Sequence, residues 1–162
     1  PIDPFTVKPI AQCIAGELPE TDYELISPSE HPIGLQQLGA LAGWHHASPF
    51  MVGIDDEWGS WSAYRAVLLA DSDFSLSGKV DRKHPCLNCN DQPCIENCPA
   101  GALNEGRLAL DRCLNFRQQA ESPCQFTCLA RLACPVGSEH RYSDEQLRHV
   151  YGASLGWIKG GR

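Results

Sequence analysis

The sequence predicts an α+β chain: a first part of short helices with a β-hairpin, and a second part of small helices and loops wrapped around bound inorganic groups. Three observations carry this. Eight of the nine cysteines fall between Cys86 and Cys134, and only Cys13 stands apart. Of the 162 residues, 43% are hydrophobic and 20% charged, a globular balance that argues against a disordered chain. The apolar runs of the first half are short and broken by proline, glycine and acidic turns.

Residues 1–30 carry Pro1, Pro4, Pro9, Pro19 and Pro28, which leaves room for one short helix around Thr6–Ile14 and then loop. Over 33–43, Ile33, Leu35, Leu38, Leu41 and Ala42 recur at near-helical spacing, so a short amphipathic helix is expected. Phe50–Ile54 and Ala63–Ala70 read as strands. The turn chemistry of Asp55-Asp56-Glu57-Trp58-Gly59-Ser60 joins them into a hairpin over 50–70. Asp71–Lys83 is polar and reads as a linker. Beyond Cys86, helices are expected over Asp111–Ala120 and over Pro123–Ala133, where Pro123 suits a first helical position. Ser143-Asp144-Glu145-Gln146 is a capping box that opens a last helix through Val150. The chain thus divides into an α+β segment over 1–83, a cysteine domain over 84–140 and a C-terminal helix and tail over 141–162. No 20–50-residue repeat is present.

Charge narrows the partners. Thirteen basic against 20 acidic residues give a net −7, whereas duplex binding needs a basic face, so nucleic acid is not expected and a basic docking protein is. No apolar run approaches the length of a membrane span. The chain opens on Pro1 and its one methionine is Met51, so it is expected to be the truncated end of something longer; no signal peptide is in view. Nine cysteines cannot all pair within one chain, and eight crowded thiols would be hazardous in an oxidising compartment, so the expected location is the cytoplasm.

The first cysteine group reads Cys86, Cys89, Cys94, Cys98-Pro99, with spacing C-x2-C-x4-C-x3-C-P. The second reads Cys113, Cys124, Cys128, Cys134-Pro135, with spacing C-x10-C-x3-C-x5-C-P. Both hold four cysteines and both end in Cys-Pro. A 4Fe-4S cube presents four iron corners, each taking one thiolate, and three can come from a tight loop while the fourth comes from elsewhere. Proline after the last cysteine fixes φ and turns the chain away. Zinc also takes four cysteines at C-x2–4-C spacing, but its motifs do not call for Cys-Pro endings. A disulfide network stands against the compartment argument. Cys13 reads as a buried or idle thiol.

The pattern resembles that of two-cluster bacterial ferredoxins, in which the fourth cysteine of each motif ligates the other cluster. Carried over, the resemblance implies two 4Fe-4S clusters, one on Cys86, Cys89, Cys94 and Cys134 and the other on Cys98, Cys113, Cys124 and Cys128, inside a ferredoxin-like helical and loop domain. Over residues 31–137 the chain is also similar to the C-terminal part of the epoxyqueuosine reductase group. Carrying that likeness are Ala42-Gly43-Trp44, Trp58-Gly59-Ser60-Trp61, Cys98-Pro99-Ala100-Gly101-Ala102, Arg112-Cys113 with Phe116, and Cys134-Pro135. That group adds a cobalamin domain and reduces an epoxide on a tRNA base. This sequence departs from it: Ser29-Glu30-His31-Pro32 lacks the group's catalytic aspartate, and His45-His46 stand where its lysine follows the Gly-Trp segment.

Other residues carry weaker signals. His45-His46 reads as a hydrogen-bonded loop element before a metal pair. Trp44, Trp58 and Trp61 read as core packing before cofactor stacking. Arg65, inside an apolar run, must be paired or face an anion. His84 stands where it can hydrogen-bond a cluster sulfur. Amides around Ala100–Ala102 and Val136–Gly137 are the expected donors to sulfur. The first functional expectation is one-electron transfer through two clusters to a redox partner protein. The alternatives are the iron–sulfur part of a reductase holding an organic cofactor such as a corrinoid, and a zinc-stabilised structural module.

Overall fold

The structure, a computed structural model, describes residues 2–18, 20–28, 30–104 and 107–160; Pro1, Pro19 and Ser29 lie outside them. In chain order the elements are α1 (Ile2–Glu17), β1 (Tyr23–Ile26), α2 (Leu35–Ala42), β2 (His46–Ala47), β3 (Gly53–Ile54), β4 (Val67–Ala70), a 3-10 turn (Pro85–Asn88), α3 (Pro93–Glu96), β5 (Leu103–Asn104), β6 (Arg107–Leu108), α4 (Leu110–Gln118), α5 (Leu129–Ala133), a second 3-10 turn (Ser138–His140) and α6 (Asp144–Gly160). This is a mixed α+β fold whose sheets are antiparallel pairs. Among the described residues no helix is long and apolar enough to cross a membrane.

The chain forms two compact units, Pro1–Trp44 with Ala63–Asp81, and His45–Ser62 with Arg82–Arg162. In the first, β1 pairs with β4 from Tyr23↔Ala70 to Ile26↔Val67. Ile14 and Leu35 are buried there. Helix α2 ends where Gly43 turns left-handed at φ 76°, its N–H donating to the Ala40 carbonyl. A side chain at Gly43 would also strike the Val80 carbonyl. The linker expected over 71–83 is exposed and without helix or strand up to Asp81.

Three sequence expectations need correction. The hairpin over 50–70 does not form: β3 pairs with β2, and β4 pairs with β1. The turn itself is as expected, with Asp55 Oδ1 accepting from the N–H groups of Glu57 at 2.9 Å and Trp58 at 2.7 Å. After it the chain bridges back once, the Asp55 N–H donating to the Gly59 carbonyl at 3.0 Å, and Gly59 at φ 59° seats it against the Val136 carbonyl. The helix over Pro123–Ala133 is only α5. The carbonyls of Cys124 and Gln125, which a helix would need, instead accept from the Arg117 guanidinium at 3.1 and 3.3 Å. The N-terminal helix is longer than Thr6–Ile14, running over Ile2–Glu17 with Pro9 inside it.

The capping box is present. Ser143 N–H donates to Gln146 Oε1 at 2.8 Å and Gln146 N–H to Ser143 Oγ at 3.3 Å, and the helix it opens runs past Val150 to Gly160. In the second unit, Phe50, Cys94, Leu103 and Ala130 form a buried cluster, with Cys98 and Cys128 packed against it. Three of the cysteines, Cys94, Cys98 and Cys128, thus belong to or pack on this core.

Candidate functional site

Cys86 lies in the first 3-10 turn, Cys89 just past it, Cys94 in α3 and Cys134 at the end of α5. Their four thiols line one cavity of about 30 Å³ with Phe50, Ile54 and Pro85 among its walls. Local backbone chemistry builds it. The Cys86 N–H donates to His84 Nδ1 at 3.3 Å, which caps the 3-10 turn. Gln92 takes a left-handed turn at φ 40° so that Pro93 can open α3. On the far side, Gly137 at φ 62° and Gly59 let the 134–137 loop press against the Trp58–Ser60 turn; a Cβ on either glycine would run into the other loop's backbone.

Cys98, Cys113, Cys124 and Cys128 line a second cavity, of about 220 Å³. They come from the end of α3, from α4, from the irregular stretch before α5 and from the N-cap of α5. Cys124 and Cys128 share this cavity without sharing a helix. The fourth cysteine of each sequence motif faces three cysteines of the other motif, Cys134 in the first cavity and Cys98 in the second. Phe50 is a wall of both. Cys13 is an exposed thiol on α1 and lines neither, so of the two readings, buried or idle, burial does not hold.

Electrostatics sorts the thiols in the same way. Burial pushes Cys86 up to about 11, and the neighbouring Cys134, Cys94 and Cys89 add to the rise. Burial likewise raises Cys94, with Cys134 and Cys89 adding, and Cys134, with Cys89 adding against the Val136 amide and Arg141. In the second cavity burial raises Cys128, opposed by the Arg131 amide and reinforced by Cys124, Cys113 and Cys98. Burial raises Cys113 and Cys124 too, and the Arg117 guanidinium opposes both. For all six thiols, every like-charged neighbour belongs to the same quartet.

The donors fit a polynuclear cluster. All nine cysteines are free thiols. Neither cavity's lining includes a histidine or a carboxylate, and an all-sulfur donor set suits zinc or iron–sulfur. A zinc ion would draw four sulfurs to about 2.3 Å from one centre. A 4Fe-4S cube would take one thiolate at each of four iron corners, and four cysteines line each cavity. Amides already point at sulfur: the Ala102 N–H donates to Cys98 Sγ at 3.4 Å, and the Val136 N–H acts on Cys134. The Thr127 hydroxyl lines the second cavity, buried and without a hydrogen-bond partner among the described residues, a donor available to a bound sulfide.

The weaker candidates resolve as follows. His46 Nε2 is 2.8 Å from the Arg82 carbonyl and its ring stacks on His84 at 4.5 Å, so His46 is hydrogen-bonded as expected but opens strand β2 rather than lying in a loop. His84 spends Nδ1 on a backbone N–H rather than on sulfur. Of the three tryptophans only Trp61 is buried; Trp58 lies half-exposed against His140, and Trp44 is exposed beside Tyr64. Arg65 is exposed and precedes β4. The argument that singled it out, a charge inside an apolar run, applies instead to Arg131 in Leu129–Ala133, which is buried and lines the second cavity with Arg117. Neither arginine was found from the sequence.

No protein-family model matches the chain, and no curated protein matches it. Solved structures do. Epoxyqueuosine reductase from Bacillus subtilis, with its catalytic loop swung out of the active site, superposes on 85% of this chain and 38% of its own, at a TM-score of 0.53 and 17% identity. Epoxyqueuosine reductase from Streptococcus thermophilus covers 81% of this chain and 37% of its own, at a TM-score of 0.48 and 18% identity. The chain spans well under half the length of either, and at 17% identity the likeness to the Bacillus subtilis structure is one of fold.

Proposed function

We propose that this chain is the iron–sulfur part of a reductase, holding two 4Fe-4S clusters in crossed quartets and relaying single electrons from a redox partner protein. The observation that carries the reading is the sorting of eight thiols into two cavities of four, each completed by a cysteine from the other motif. The fold likeness to a reductase over 85% of this chain supports it. When bound, such a cluster stores and releases one electron at a potential set by its surroundings. The chain's own residues supply the rest. Cys86, Cys89, Cys94 and Cys134 hold one cluster, and Cys98, Cys113, Cys124 and Cys128 the other. Ala102 and Val136 donate N–H groups to sulfur. Phe50, common to both walls, sets the two cavities side by side. The thiols lose their protons on binding, so loading releases protons to solvent.

The test is anaerobic purification with a visible spectrum and a count of iron, sulfide and zinc. About eight irons and about eight sulfides per chain, with broad brown absorbance, are expected. Two zincs in a colourless protein would overturn the reading in favour of a structural module.

A further inference from the structure

Arg117 and Arg131 are among the few buried charges in the molecule, 8% and 6% exposed. Both line the cavity of Cys98, Cys113, Cys124 and Cys128. A buried guanidinium ordinarily has a carboxylate beside it. Here, among the described residues, neither has one. Arg117 donates to the carbonyls of Cys124 at 3.1 Å, Gln125 at 3.3 Å and Tyr151 at 3.0 Å, and to Ser154 Oγ at 3.0 Å. Arg131 donates to Ser60 Oγ at 3.2 Å and to the Ser60 carbonyl, and lies over the Trp61 ring at 4.2 Å and the Tyr142 ring at 5.1 Å. These contacts orient the two cations without neutralising them. The first cavity has no counterpart. No arginine lines it, and Arg141, which donates to the Cys134 carbonyl at 3.2 Å, is exposed, where water screens its charge.

We infer that Arg117 and Arg131 are the built-in counter-charge of the second cluster, and that they raise its reduction potential above that of the first. Four thiolates around an iron–sulfur cube leave it anionic, and each added electron makes it more so. Two fixed cations that are themselves buried favour the reduced form. The quartet of Cys98, Cys113, Cys124 and Cys128 is therefore where an electron comes to rest, and the quartet of Cys86, Cys89, Cys94 and Cys134 is where it enters. This rests on the two-cluster reading, and it gives that reading a direction.

The test is a potentiometric titration of the fully loaded protein, followed by electron paramagnetic resonance, with Cys128→Ser used to assign the second signal. In the wild-type protein the second cluster is expected to be the more easily reduced by at least tenfold in equilibrium constant, or about 59 mV. Arg131→Gln should remove most of that lead without moving the first cluster, and Arg131→Lys, which keeps the charge, should retain it. Equal potentials in the wild type, a higher potential on the first quartet, or a Gln variant that shifts both clusters together would overturn the inference. If Arg131→Gln does not assemble its second cluster, the wild-type order decides alone. A protein without about eight irons would instead sink the two-cluster reading itself.

Discussion

The two cysteine cavities are built on different principles. The first is a backbone construction: three of its thiols fall within Cys86–Cys94, and tight turns at His84, Gln92, Gly59 and Gly137 shape it. Leu87, between two of its cysteines, is 78% exposed, while Cys94 and Cys134 are buried. The second is a side-chain construction. Its thiols come from four separate stretches, and a buried arginine ties α4 to the Cys124–Gln125 carbonyls and to α6. One cavity is thus fixed by local chain geometry, the other by tertiary packing. The difference leaves the second with two buried cations on its wall that the first lacks.

The sharpest way to break this comparison is to remove one thiol from each quartet. Cys86→Ser and Cys128→Ser should each cost about four of about eight irons and leave the other cluster's resonance intact. Loss of all iron from either variant would show that the quartets are not separate sites. The shared wall comes next. Phe50→Ala should cost about 3–5 kcal/mol by thermal or denaturant unfolding and lower the iron occupancy of both clusters together. A loss confined to one would mean that Phe50 supports only that side. Gly59→Ala, forced into a left-handed conformation against the Val136 carbonyl, should cost about 1–3 kcal/mol and loosen the first cluster alone, measured as faster iron loss to a chelator. Ser143→Ala should be mildest, at about 1 kcal/mol. Because the cap opens the helix that Arg117 grips, its effect should fall on the second cluster; an equal effect on the first would blur the contrast.

What the sequence revealed follows the same division. A local cavity needs its ligands in a short window, so Cys86, Cys89 and Cys94 announce it. The α2 periodicity and the Ser143–Gln146 box are local too, and both elements form as read. What was hidden is non-local. Val67–Ala70 finds its partner in Tyr23–Ile26, four residues with no turn signal connecting them to it. Pro123–Gln125 has the chemistry of a helix start, yet Arg117 takes the carbonyls that the helix would use. The division at residue 83 follows a change in composition, whereas the packing joins His45–Ser62 to the cysteine half. The fold likeness to a reductase accords with the resemblance drawn from the Cys-Pro motifs, although no family model matches.

The grip of Arg117 on Tyr151 and Ser154 also bears on how the protein is made. Every thiol of both quartets precedes α6 in the chain, so synthesis delivers all eight before the helix that fastens the second site exists. Until that helix folds, the four stretches carrying Cys98, Cys113, Cys124 and Cys128 lack this fastening and stand open to whatever delivers iron and sulfide. Afterwards, melting of α6 alone would reopen the door. On the two-cluster reading, assembly of the second site would then wait on α6.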